Sequence, residues 1–176
     1  MKKDFAKKLT STAILLAVML AVQLFKNISP FISGPLVNVI LIITTLGAGL
    51  WSGIALSVIA PVTSFLITQA PIMPATHFSL FPVIMIGNIV IVLGAYFGRK
   101  TSTNLIAGLA LGSVLKWLSM WGAVALIIIP IFSGLNENIL IKITQMFTHL
   151  QLYAAILGSI IAYIIWPPIK KSLKIQ

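Results

Sequence analysis

The chain has 176 residues, 59% of them hydrophobic and 8% charged, with a mean hydropathy of +1.11, a composition that excludes a water-soluble domain. Its formal net charge of +10 does not mark a nucleic-acid partner, because the basic residues gather at the ends of apolar runs, where they orient a membrane protein. Cysteine is absent, which removes disulfides, thiolate metal sites and cysteine nucleophiles. Strict in-out alternation is missing too, which argues for helices and against an outer-membrane barrel.

These features predict an all-α integral membrane protein, one transmembrane domain with spans at about 9–26, 36–47, 50–68, 80–98, 105–130 and 148–167. Lys2, Lys3, Lys7 and Lys8 precede the first span and hold the N-terminus in the cytoplasm. No small-residue cleavage site follows, so the span reads as a retained helix. Pro30, Gly34 and Pro35 then interrupt any helix and form a tight outer connection. From Leu36 to Ile67 the apolar run is broken only at Gly47-Ala48-Gly49. With that break, Lys2, Lys3, Lys7, Lys8, Arg99, Lys100, Lys170, Lys171 and Lys174 fall inside, against Lys26 and Lys142 outside. Without it, five spans divide the same residues almost evenly. Only six spans, with both termini cytoplasmic, obey the positive-inside rule.

Pro61 lies at the centre of the third span, where its missing donor kinks a helix beside Ser57, Thr63 and Ser64. Pro71 and Pro74 stiffen the next outer connection. His77 stands there without a second ligand at metal spacing, so no zinc site is expected. The fourth span begins around Pro82 and carries Asn88 in its interior, a polar group that needs a partner. The fifth span carries Lys116 about 16 Å along its axis from Leu105, roughly half the hydrocarbon thickness. A charge at that depth costs about 2.5–3.5 kcal/mol, and such residues face a bundle interior or a cavity. Gly112, Ser113, Ser119, Met120 and Ala123 share its face, and Trp117 and Trp121 lie one turn apart beside it, suggesting a lined pocket. Phe132 to His149 is the longest connection; Ile143, Met146, Phe147 and Leu150 recur at helical spacing there and predict a partly helical lid. The last span stops at Pro167-Pro168 before a basic tail.

Asp4 and Glu137 are the only acidic residues, and both lie outside the predicted hydrocarbon region. Paired-carboxylate catalysis, a metal centre and a proton-coupling carboxylate are therefore not expected. A phosphate-binding glycine loop is also missing, so the chain does not hydrolyse ATP itself. Lys116 with Ser113 or Ser119 could form a serine-lysine dyad, but nothing else in the sequence supports one. No catalytic residue, cofactor or metal is predicted. The substrate-binding candidates are Lys116, Trp117, Trp121 and Asn88, with Asn38 and Gln145 as further polar groups. With no carboxylate inside the spans to face Lys116, its countercharge comes most simply from an anionic ligand.

The first span reads Ala13-Ile-Leu-Leu-Ala17-Val-Met-Leu-Ala21, a small residue every four positions along one face. Together with PLVNVILIITTLGAGLWSGIALSVIAP, FPVIMIGN and the basic tail, this resembles the substrate-binding S components of energy-coupling factor transporters, the bacterial vitamin importers. The resemblance implies a multi-pass protein of the cytoplasmic membrane. It implies that Ala13, Ala17 and Ala21 dock on a transmembrane coupling subunit, and that two ATPase subunits drive import of a small nutrient bound toward the outer side. The alternatives are a small membrane enzyme or lipid-handling protein using Lys116, and a structural subunit with no ligand.

Overall fold

The structure, a computed structural model, describes residues 2–25, 29–68, 74–132, 134 and 137–172; Lys26, Pro71, Asn136 and Lys174 lie outside these. The described residues contain no strand. In order they form α1 (Lys2–Leu24), α2 (Pro30–Ala48), α3 (Leu50–Thr68), α4 (Pro74–Gly98), α5 (Ser102–Ala123), a π-helical segment (Val124–Ile128), a single turn α6 (Ile129–Ile131), α7 (Glu137–Phe147) and α8 (His149–Ser172). Six helical stretches are long and apolar enough to cross a membrane, as befits a multi-pass membrane protein. The break between α2 and α3 falls at Gly49, whose φ of 103° suits a residue without a Cβ. Its N–H bonds the Thr45 carbonyl at 3.1 Å.

Three helix ends differ from the sequence expectation, each because proline is tolerated where it was read as a stop. α2 begins at Pro30 and carries Pro35 within it. A proline at the first helical position gives up only a donor that has no intrahelical partner. α4 likewise starts at Pro74, takes in His77 and passes through Pro82. α8 runs through Pro167 and Pro168 to Ser172, a loss of donors confined to its final turns.

Buried area makes α2 the axis of the bundle: 67% of its span is buried, against 6% for α1. α2 packs on α1, α3, α4 and α8. It runs parallel to α8, since Gly34 faces Ala154 while Asn38 faces Gly158. α4 and α5 meet most closely, antiparallel, through their glycines: Gly94 lies on Gly108 and Gly112, and Gly98 on Gly108, Asn104 and Leu105. Small residues let membrane helices approach until backbone touches backbone, replacing weak lipid contacts by dispersion.

One apolar cluster, including Ile42, Leu46, Ile91, Ala95, Leu105 and Leu109, joins α2, α4, α5 and α8. A second joins Leu80 and Val83 of α4 to Met120, Val124 and Ile128, and to Ile143 and Phe147 of α7. The expected helix in this connection is thus present, with Ile143 and Phe147 packed on the far half of α5. The π segment sets that contact. Ile129 N–H reaches back five residues to the Val124 carbonyl, just before Pro130, which has no N–H to give. The wider turn keeps Met120, Val124 and Ile128, each four residues apart, on one line under α7.

Candidate functional site

Between these two clusters lies a buried polar group drawn from three helices. Lys116 of α5, Asn38 of α2 and Asn88 of α4 are 3%, 2% and 4% exposed, so none can rely on solvent. The Lys116 ammonium donates to Asn38 Oδ1 at 2.6 Å and to Asn88 Oδ1 at 2.8 Å. Asn38 Nδ2 in turn donates to the Gly34 carbonyl of its own helix at 3.2 Å. Hydrogen bonds to a charged group contribute about 1.5–3 kcal/mol each, so two of them are of the size needed to offset the insertion cost of the lysine, about 2.5–3.5 kcal/mol.

Glycine creates the space for this arrangement. A Cβ on Gly87 would strike the Met120 side chain and come within 3.5 Å of Lys116 Cγ. Gly158 of α8 does the same for α2, since a Cβ there would lie 2.7 Å from both Asn38 Cβ and the Pro35 carbonyl oxygen. Beside the lysine, Ser113 Oγ donates to the Leu109 carbonyl at 2.8 Å and lies 3.0 Å from Ser159 Oγ of α8. With the one Ser113 proton already committed, Ser159 is the donor of that pair. Ser119 donates to the carbonyl of Lys116 itself at 2.8 Å. Both candidate serines of a dyad thus bond elsewhere, while the ammonium bonds the two amides.

The two tryptophans stack on each other, centroids 6.2 Å apart and planes 21° from parallel. Trp121 is 44% exposed, whereas the Trp117 indole N–H is buried with no acceptor. Gln145 is exposed on α7. The structure therefore brings Lys116, Asn38 and Asn88 into direct contact, pairs Trp117 with Trp121, and places Gln145 on the outside of the lid helix. Asp4 and Glu137 sit in the exposed first turns of α1 and α7. Among the described residues no group of three or more His, Cys, Asp or Glu could hold a metal.

A second polar contact, unread in the sequence, ties α1 to α3. Gln23, fully buried, donates through Nε2 to the Ala60 carbonyl at 3.0 Å, while its Oε1 has no partner. Ala60 precedes Pro61, and Thr63 Oγ1 also turns back to the carbonyls of Ile59 and Ala60 at 3.1 and 3.2 Å. Ser57 Oγ bonds the Gly53 carbonyl at 2.9 Å. The hydroxyls of Ser57 and Thr63 thus serve the backbone of α3. Thr12 and Ser52 add a hydroxyl pair at 2.8 Å between α1 and α3. On the opposite flank of α1, Ala13, Ala17 and Ala21 are all exposed.

Compared with protein-family models, with curated proteins and with solved structures, the chain matches none.

Proposed function

We propose that the chain is the substrate-capture subunit of an energy-coupling factor importer in the cytoplasmic membrane, with both termini cytoplasmic. It binds a small water-soluble nutrient, a vitamin or its precursor, from the extracellular side and is energised by a coupling subunit and two ATPases. The observation that carries this reading is the state of α1. Ala13, Ala17 and Ala21 lie exposed on the helix whose span is 6% buried, so a flank of small residues remains open to a neighbouring helix while the core is built on α2. Small residues at four-residue spacing admit close helix contact, and a large side chain prevents it.

Ala17→Trp tests the reading. Co-expressed with a coupling subunit and two ATPases, the wild-type chain is recovered in a four-part complex, and the variant is not, although it folds and is purified alone. Equal recovery of both complexes would remove the interface from this face.

A second reading, a ligand-free structural subunit, draws on the two Lys116 bonds, which join α2, α4 and α5. Small molecules extracted from the purified chain separate the two, since a structural subunit carries none.

A further inference from the structure

We propose that the Lys116 site takes a small organic oxyanion, a carboxylate or phosphate, whose oxygen replaces the amide oxygen of Asn88 on the ammonium. This deepens the capture reading and rests on it. The argument starts from charge. Lys116 is buried with two dipoles and no counter-ion, and the only acids of the chain, Asp4 and Glu137, lie in exposed first turns at helix starts. A tether between three membrane helices does not require a charge, because neutral amides and hydroxyls bond across helices at less desolvation cost. Ser113 and Ser159 do so next to this site. The two amide bonds offset the insertion cost, but only an anion makes use of the charge itself.

The partners are built for that exchange. An asparagine amide carries an acceptor and two donors on one rotatable end. With its oxygen toward Lys116 it bonds the ammonium; Asn88, turned by half a rotation, offers Nδ2 to an anion there, while Asn38 is held in place by its Nδ2 bond to the Gly34 carbonyl. Asn88 and Lys116 then present donors from two helices to one oxyanion, which charge-assisted bonds favour. Met120, one turn beyond Lys116, packs with Ile143 and Phe147 of α7.

The full-length protein is purified from cells grown in rich medium, denatured, and its released small molecules are identified by negative-ion mass spectrometry, which also separates carboxylates from phosphates. Wild type releases an organic anion at close to one per chain. Asn38→Asp is nearly isosteric and places a carboxylate where an oxygen now stands 2.6 Å from Nζ. It keeps the bond to Nζ, gives up the Nδ2 bond to the Gly34 carbonyl, supplies the counter-ion from within, and lowers retention of the anion about 10- to 150-fold, the equivalent of one charged hydrogen bond. Lys116→Met lowers it as far. Release of only neutral or cationic compounds, or of none, overturns the proposal, as does wild-type retention by Asn38→Asp. Recovery of the complex with the coupling subunit is scored in parallel, so an anion bound without any complex would count against the transport reading alone.

Discussion

Gly94 and Gly108 oppose each other across the α4–α5 crossing so that a Cβ on either would fall on the carbonyl oxygen of the other. Backbone atoms cannot move aside as a flexible side chain can, so Gly94→Ala and Gly108→Ala should each cost about 1–3 kcal/mol through overpacking. Gly122, on the same α5, has nothing within 4 Å of its Cβ position. There alanine should be neutral or stabilise the helix by up to about 1 kcal/mol. Thermal unfolding of the three variants in one detergent checks the contrast, and equal midpoints would mean the crossing is looser than described.

Gly87 and Met120 should be energetically coupled. A Cβ at 87 meets the Met120 side chain, and Lys116 Cγ lies just beyond at 3.5 Å. Gly87→Ala alone forces Met120 toward the lysine; with Met120→Ala present the same methyl enters vacated space. A double-mutant cycle on unfolding should return a favourable coupling of about 1–2 kcal/mol, within the range for residues in contact. Strict additivity would show that Met120 relaxes without strain.

The α7 helix is held through Ile143 and Phe147, both buried against Met120 and Val124. Ile143→Ala removes a side chain that is 1% exposed and should cost about 2–4 kcal/mol at that contact. Backbone amide exchange should then accelerate across Glu137–Phe147 and stay unchanged along α4 and α5. Acceleration spread over the whole bundle would mean that α7 is part of the global fold and not a separate cover.

Orientation is open to direct labelling because the chain has no cysteine of its own. Under the proposed topology, Ser29→Cys and Gly134→Cys react with an impermeant thiol reagent in intact cells, and Thr101→Cys reacts only after permeabilisation. The reverse pattern would invert the protein and place the basic tail outside.

The parts of this structure that are legible in the sequence are those with a local or bulk cause. Six spans follow from apolar length and from Gly49, and α7 from the spacing of Ile143 and Phe147, although Met146 of the same pattern is 41% exposed. Lys116 and Asn88 announce themselves because the apolar runs hold few polar side chains as costly to bury. The Gly94-x-x-x-Gly98 and Gly108-x-x-x-Gly112 spacings are also visible, but not that they face one another, since pairing is a property of two helices. That Asn38 and not Gln145 joins the lysine depends on how α2 threads between α4, α5 and α8, which no periodicity encodes. The π segment leaves only Pro130 as its trace, and proline reads equally well as a helix end.

The tie between Asn38 and Lys116 spans 78 residues of chain, and this separation sets a schedule for synthesis. At about 5–20 residues per second, the ribosome needs roughly 4–16 s to make the lysine after the asparagine. Through that interval α2 holds an amide oxygen without its final partner, while the bond from Asn38 Nδ2 to the Gly34 carbonyl lies within one helix and can form at once. Asn88 emerges next, before the lysine that binds both. α8, which supplies Gly158 and Ser159, comes last. The Lys116 group can therefore close once α5 is made, whereas a chain truncated before α8 would leave the Cβ flank of Asn38 and the Pro35 carbonyl, on which Gly158 packs, open to lipid.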